Sequence, residues 1–172
     1  MIIAGTGHRP EKLVPQDKRK IAYSNEVRTR LKELAIASLQ KIKVSAVISG
    51  VALGWDTGLA LAAIELDIPL IAAVPFDGQE SKWRDTDVLM YRYILAAADR
   101  VEIISEGGYS AKKMQIRNQW MADEANTILA LWDGSEGGTG NCIKYAKPRV
   151  EINNLWDSWV KYSGFYQGES NA

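Results

Sequence analysis

The hydrophobic and polar positions along this chain alternate between two kinds of segment. Short, almost entirely apolar runs predict buried strands, and longer stretches with apolar residues three or four positions apart predict amphipathic helices. The predicted strands fall at residues 2–6, 44–49, 69–74, 100–104 and 127–132, with a sixth strand near 150–154. The helical stretches fall at 18–43, 57–66, 83–98, 112–126 and, more briefly, 141–146. Strands that alternate with helices predict an α/β domain with a mainly parallel sheet between two layers of helices.

The length of 172 residues predicts a single domain with a substantial buried core. No internal repeat, low-complexity segment or linker interrupts the alternating pattern. We therefore expect the domain to occupy residues 1–160. Residues 161–172 are aromatic at first and then polar, and we expect them to form a partly disordered C-terminal tail.

Composition narrows the possible partners. Lys plus Arg and Asp plus Glu both number 21, so the net charge is zero and a nucleic-acid partner is not expected. With one cysteine, Cys142, and one histidine, His8, neither a disulfide nor a metal site is expected. The chain has no apolar run of ~18 residues, and its first run is too short for a secretory signal. We therefore expect a cytoplasmic protein without a membrane partner or a cofactor.

Three glycine clusters carry most of the functional information. They stand at residues 4–10, 49–56 and 132–141, each directly behind a predicted strand. Glycine lets a backbone bring its N–H groups close to a ligand, and the second and third clusters also lead into helices whose N-termini attract anions. Because ligands of such sheets lie beyond the carboxyl ends of the strands, the clusters predict a cleft for an anionic ligand, most plausibly a nucleotide.

The first two clusters each allow two interpretations. Gly5, Gly7 and Pro10 match a dinucleotide fingerprint incompletely, so the loop either binds a ligand or only connects a strand. In the ligand interpretation Arg9 contacts a phosphate and His8 donates to an ester oxygen or a ribose hydroxyl. In the second cluster, Ser49, Gly50 and Gly54 surround a turn, and Asp56 is either a ligand contact or the N-cap of the following helix.

An arginine within an apolar stripe is the single strongest candidate residue. Met114, Arg117 and Met121 lie three and four positions apart and share one helical face. An unpaired buried charge is costly, so Arg117 must meet an anion. That anion is either the ligand in the cleft or an internal carboxylate, for which Asp99 and Asp133 are the candidates.

The third cluster is the most specific phosphate motif. Gly137, Gly138 and Gly140 precede a helix and offer consecutive amides, and Thr139 and Asn141 add side-chain donors. Two aromatic residues near a polar loop allow two interpretations. Phe76 and Trp83 either form the wall of a base pocket or belong to the core. In the first case Gln79 and Lys82 supply the polar edge of the pocket.

Several of these segments together resemble one family. They are Thr6-Gly7-His8-Arg9-Pro10, Ile48-Ser49-Gly50 with Gly54, Val74-Pro75-Phe76 with Gln79 and Trp83, Arg117-Asn118-Gln119, and Leu131-Trp132-Asp133-Gly134 with Gly137-Gly138-Thr139. On these motifs the chain, up to Trp159, resembles the SLOG superfamily, which includes the Lonely Guy phosphoribohydrolases and the DprA domain. It is most similar to the small stand-alone YpsA-like members of bacteria and phages. The resemblance implies a Rossmann-like three-layer fold.

The resemblance also bears on chemistry. Lonely Guy enzymes carry a Met-x-x-Arg helix start, which Met114 and Arg117 match, and a Pro-Gly-Gly-x-Gly-Thr-x-x-Glu loop. The chain follows that loop only in part, and Lys144 stands where the catalytic Glu belongs. The resemblance therefore supports a nucleotide-binding pocket more strongly than it supports hydrolysis of an N-glycosidic bond.

The resemblance leads to two functional hypotheses. The first is a nucleotide or ADP-ribose-derivative binding protein that acts as a ligand sensor or sequestering protein, with phage–host conflict as one setting, and that self-associates as a homo-oligomer. The alternative is a nucleoside 5′-monophosphate phosphoribohydrolase, for which the available carboxylates are Asp56, Glu124, Asp133 and Glu136. A DprA-like contact with single-stranded DNA is disfavoured by the zero net charge.

The predicted ligand-binding residues come from every cluster. They are Thr6, Gly7, His8, Arg9, Ser49, Gly50, Gly54, Asp56, Pro75, Phe76, Gln79, Trp83, Arg117, Asn118, Asp133, Gly137, Gly138, Thr139, Gly140 and Asn141.

Overall fold

A computed structural model describes residues 1–167, and its six strands form one parallel sheet. The strands are β1 (Ile2–Gly7), β2 (Ala46–Ser49), β3 (Leu70–Val74), β4 (Arg100–Ile103), β5 (Thr127–Leu131) and β6 (Glu151–Asn154). Their order in the sheet is β4-β3-β2-β1-β5-β6. The predicted α/β, Rossmann-like three-layer fold is therefore confirmed, and the winding of the chain reverses between β1 and β5.

Helices cover both faces of the sheet. They are α1 (Asn25–Leu39), α2 (Trp55–Glu65), α3 (Asp85–Ala97), α4 (Ala111–Glu124), α5 (Gly138–Ala146) and α6 (Trp156–Tyr162). One apolar core joins the sheet to α1, α2, α3 and α6, and a second joins it to α4 and α5. In the described part of the chain, no helix is long and apolar enough to cross a membrane.

The structure corrects the start of the first predicted helix. The segment Gln16–Ile21 is a short 3₁₀ helix, and α1 begins only at Asn25. The reason is the cap: the Ser24 side chain accepts a hydrogen bond from the Val27 amide at 3.3 Å, which fixes the helix start there. A further 3₁₀ segment, Pro10–Lys12, follows β1.

The C-terminal part of the described chain is packed more extensively than the sequence indicates. Helix α6 was not predicted, and it continues beyond residue 160. The Trp159 indole donates to the Leu13 carbonyl oxygen at 2.8 Å, and Phe165 is buried against Trp159 in the first core. The packed chain thus extends past the expected boundary, and residues 168–172 of the expected tail lie outside the described residues.

Two glycines of β1 allow α2 to pack directly on the centre of the sheet. A Cβ atom at Gly7 would lie 2.5 Å from Cδ1 of Trp55, and one at Gly5 would overlap the Leu59 side chain. Trp55 is fully buried and donates from its indole to the Leu129 carbonyl oxygen at 3.0 Å. This close approach holds the start of α2 beside the end of β1.

The packing of α1 on α2 yields a stability prediction in which two effects have opposite signs. An alanine in place of a helical glycine ordinarily stabilises by about 0.5–1 kcal/mol. At Gly58, however, a Cβ would lie 2.7 Å from the Leu31 Cβ and 3.1 Å from the Leu31 carbonyl carbon. Overpacking of this kind costs about 1–3 kcal/mol. We therefore expect Gly58→Ala to lower the free energy of unfolding in urea denaturation.

Gly108→Ala is the matched control, because an added Cβ there has no neighbour within 4 Å. Its unfolding midpoint should stay at the wild-type value or rise slightly, because alanine restricts the unfolded chain. A Gly58→Ala protein that is more stable than the wild type would show that helix propensity, and not contact with α1, dominates at this position.

Candidate functional site

A cleft of about 350 Å³ opens at the carboxyl ends of the strands, at the point where the winding reverses between β1 and β5. It is bounded by the loop after β1, the first turn of α2, the first two turns of α4 and the start of α5. Ten of the predicted residues line it: Thr6, Gly7, His8, Arg9, Asp56, Arg117, Asn118, Gly137, Gly138 and Thr139. The three glycine clusters therefore meet at one site.

A hydrogen bond joins the two strand ends beside the cleft. His8 Nε2 lies 2.7 Å from Asp133 Oδ1, and the Ser135 amide donates to the same oxygen at 2.9 Å. Burial raises the pKa of Asp133, but the hydrogen bonds from Ser135 and His8 outweigh it and lower that pKa to about 2. Burial also lowers the pKa of His8, against the opposing effect of Asp133. The Asp133 amide also donates to His8 Nε2 at 3.1 Å, so two contacts tie the imidazole to Asp133.

The start of α5 forms one wall of the cleft. Its N-cap is Gly137, whose φ of +142° is a backbone conformation that favours glycine. Among residues 1–167 no side chain caps this helix, so the amides of its first turn are available to a ligand. Lys12 reaches the same loop and donates from Nζ to the Ser135 hydroxyl at 3.2 Å. Free amides and a cation therefore face the cleft together.

Arg117 lies under the cleft and is held by backbone oxygens. Its Nη1 donates to the carbonyl oxygens of Gly50 at 2.8 Å and Ala73 at 3.1 Å, and its Nε donates to Asn118 Oδ1 at 2.9 Å. The residue is 3% exposed and still contributes to the cleft lining. The internal partners considered from sequence are engaged elsewhere, since Asp99 accepts from the Leu70 amide and Asp133 is bonded to His8.

Asp56 is the buried carboxylate next to Arg117. A Cβ atom added to Gly50 would lie 2.6 Å from Arg117 Nη1 and 2.8 Å from Asp56 Oδ2, so the two charged groups converge beside Gly50. Burial raises the pKa of Asp56 to about 6, although the positive charge of Arg117 acts in the opposite direction. Burial likewise lowers the pKa of Arg117. The N-cap interpretation of Asp56 is wrong, because Gly54 occupies that position and Asp56 lies in the first turn.

Several predicted residues support the cleft without lining it. The Ser49 hydroxyl donates to the Asp56 carbonyl oxygen at 2.8 Å. Gly54 leaves room for the His8 carbonyl oxygen, which a side chain would meet. Gly140 leaves room for the Ser135 carbonyl oxygen, and the exposed Asn141 lies in α5.

The predicted base wall lies outside the cleft lining. Trp83 packs edge-to-face on Tyr91, with ring centroids 5.3 Å apart, at a separate small apolar cavity. Phe76 is buried, as is Pro75 before it. Gln79 donates from Nε2 to the Gly50 carbonyl oxygen at 3.1 Å, which helps to fix the loop that also binds Arg117.

The structure adds lining residues that the sequence analysis did not select. They are Gly5, Glu11, Lys12, Ala52, Met114 and Gln115. Glu11 and Lys12 directly follow the first glycine cluster. Their position after Pro10 was the one sequence signal that could have placed them in the loop beside the cleft. Lys144 is exposed and lies outside the lining, as do Glu124, at the far end of α4, and Glu136. Within residues 1–167, no group of three or more His, Cys, Asp and Glu side chains is placed to hold a metal ion.

Comparison with known proteins identifies the family. A family model described as the YspA SLOG family matches residues 3–155. The chain belongs to this SLOG family. The match includes β2 to β6, all of β1 except Ile2, and every residue that lines the cleft.

Individual relatives are bacterial proteins of similar size. YoqJ of Bacillus subtilis, described as an uncharacterized SPbeta prophage-derived protein, is 30% identical over 77% of this chain and 89% of its own length. A UPF0398 protein of Bacillus velezensis is 26% identical over 94% of this chain and 90% of its own length. Among solved structures, DNA processing protein A (DprA) of Streptococcus pneumoniae superposes with a TM-score of 0.51 at 14% identity. That match covers 93% of this chain and 60% of the DprA chain, and it supports the fold.

The raised pKa of Asp56 predicts a pH-dependent effect of Asp56→Asn. A carboxyl whose folded pKa lies above its unfolded value stabilises below the unfolded value, near 3.8, and loses that contribution as the pH rises through about 6. We therefore expect Asp56→Asn to become more stable relative to the wild type between pH 4 and pH 7, by about 1–3 kcal/mol. Urea denaturation of both proteins across this range measures the difference.

Asp85→Asn is the control, because this side chain is exposed and lies outside the cleft lining. Its stability difference from the wild type should stay constant from pH 5 to pH 7. A constant difference for Asp56→Asn as well would contradict a pKa of Asp56 that burial raises above its ordinary value.

Proposed function

We propose that this protein binds a small phosphorylated nucleotide, such as a nucleoside monophosphate or an ADP-ribose derivative, as a cytoplasmic ligand sensor or sequestering protein. The observation that carries the proposal is the uncapped start of α5, at Gly137 to Thr139, which shares one cleft with Arg9, Lys12 and Arg117. Several cations beside free helix amides repel one another unless an anion lies between them. Phosphate meets that requirement.

Two further features support a nucleotide and not a bare anion. The cleft lies at the switch point of a parallel sheet, where nucleotides bind in this architecture. Its volume of about 350 Å³ also exceeds that of a phosphate ion and falls in the range of small-ligand pockets. The prophage origin of the relative YoqJ fits a role in phage–host conflict.

A second candidate function is hydrolysis of the N-glycosidic bond of a nucleoside monophosphate. It is favoured by Asp56, a carboxyl that lines the cleft and has a pKa of about 6, close to the range suited to acid–base catalysis. Against it, the position of the Lonely Guy glutamate is Lys144, which lies outside the lining. Binding without turnover is therefore the main proposal.

The binding proposal predicts that AMP and ADP-ribose raise the melting temperature without added metal. At about 100 times its dissociation constant, a ligand stabilises by about 2.7 kcal/mol. Lys12→Ala should weaken this binding about five- to tenfold, because an exposed charge-assisted phosphate contact is lost. Isothermal titration calorimetry measures the change.

Lys82→Ala removes the same charge from an exposed position outside the cleft lining, and it should bind like the wild type. Equal weakening by both variants would mean that general electrostatic attraction, and not the cleft, holds the ligand. The absence of any shift with a broad nucleotide panel at millimolar concentration would refute the binding proposal.

Turnover distinguishes the two candidate functions. We expect no release of free base from AMP, GMP or CMP after long incubation with micromolar protein, as followed by chromatography. Clear release that Asp56→Asn abolishes would favour the hydrolase instead.

A further inference from the structure

The cleft has an acidic pole as well as a cationic one. Both begin at the 3₁₀ segment Pro10–Lys12, whose two charged side chains diverge. Lys12 extends to Ser135 and toward Gly137 at the phosphate-binding wall. Glu11 also lines the cleft but turns to the other side, where it accepts a hydrogen bond from the Tyr23 hydroxyl. A ligand that fills the cleft therefore meets the Lys12 cation on one side and the Glu11 carboxylate on another, with Arg9 near Tyr23.

Tyr23 is itself fixed, so it holds Glu11 in a defined position. The Arg84 guanidinium stacks 4.8 Å from the centroid of the Tyr23 ring, and its Nη2 donates to the Tyr23 carbonyl oxygen at 3.1 Å. Arg84 is in turn bonded to the buried Asp87 at 3.0 Å. Burial, with the neighbouring Glu11, raises the pKa of Tyr23 to about 12, so its hydroxyl remains a donor at neutral pH.

A carboxylate at this place selects for a particular ligand chemistry. It accepts hydrogen bonds and donates none, so it binds hydroxyl groups and repels phosphate. Asp56, the other carboxylate of the lining, is buried beside Arg117, whereas Glu11 is exposed. A pair of adjacent sugar hydroxyls is the natural partner of such a group when the phosphate of the same molecule lies at the cationic pole.

Building on the proposed nucleotide function, we propose that Glu11, positioned by Tyr23, binds the ribose 2′ and 3′ hydroxyl groups and makes the cleft specific for ribonucleotides with an unmodified cis-diol. Loss of a hydroxyl removes one hydrogen bond to the carboxylate, which then keeps the Tyr23 donor, and a phosphate on that hydroxyl places two negative charges together. Deoxyribonucleotides and 2′-phosphorylated nucleotides are thus excluded by the same side chain.

Calorimetry with three probes tests this specificity: AMP, 2′-deoxy-AMP and adenosine 2′,5′-bisphosphate. The wild type should bind AMP at least about tenfold more tightly than either analogue. Glu11→Gln should reduce this preference to about twofold or less and improve binding of the bisphosphate, with little effect on 2′-deoxy-AMP. Tyr23→Phe should also narrow the preference while the affinity for 2′-deoxy-AMP stays the same, as expected of a positioning residue.

Glu106→Gln removes an equal charge from an exposed loop outside the lining and should keep the wild-type preference. Equal binding of AMP and 2′-deoxy-AMP by the wild type would overturn the role of Glu11 while leaving the nucleotide site intact. A preference for AMP over 2′-deoxy-AMP that remains in Glu11→Gln would also overturn the role of Glu11. If none of the three probes binds, the inference falls together with the proposed function.

Discussion

The contact between α2 and β1 is the constraint on which the site depends. Glycine at positions 5 and 7 lets the Trp55 side chain lie directly on the central strand, where its indole satisfies the Leu129 carbonyl oxygen of the neighbouring strand. The helix start then lies so close that the Trp55 amide donates to the His8 carbonyl oxygen at 3.2 Å. The loop after β1 is thereby fixed against the first turn of α2, with Asp56 beneath it.

The electrostatics of the cleft follow from that arrangement. The chain as a whole is neutral, so no general field attracts an anion. The positive charge is instead local: Arg117 is held by two backbone oxygens from below, while Arg9 and Lys12 approach from the loop. The buried Asp56 balances Arg117 in part, which limits the cost of a guanidinium in a desolvated place. The remaining charge faces the free amides of α5.

The sequence was sufficient to predict the fold and the place of the cleft, because both depend on local patterns. Apolar runs and glycine clusters have a direct meaning for strands and for loops at strand ends. Trp83, Glu11 and α6 show what such patterns miss. An aromatic residue near a loop, such as Trp83, can pack on Tyr91 as well as on a nucleotide base. The direction of an exposed charged side chain, such as Glu11, depends on a partner such as Tyr23. Helix α6 packs on the first core, where the Trp159 indole donates to the carbonyl oxygen of Leu13, which is far away in sequence.

Anion binding beyond the carboxyl ends of β1 and β5 is tested most directly by amide NMR. In a ¹⁵N-labelled sample titrated with AMP, the account predicts the largest shifts at the amides of Gly137, Gly138 and Thr139, together with those of the loop after β1. Shifts confined to another face of the molecule, with these amides unchanged at saturation, would contradict it.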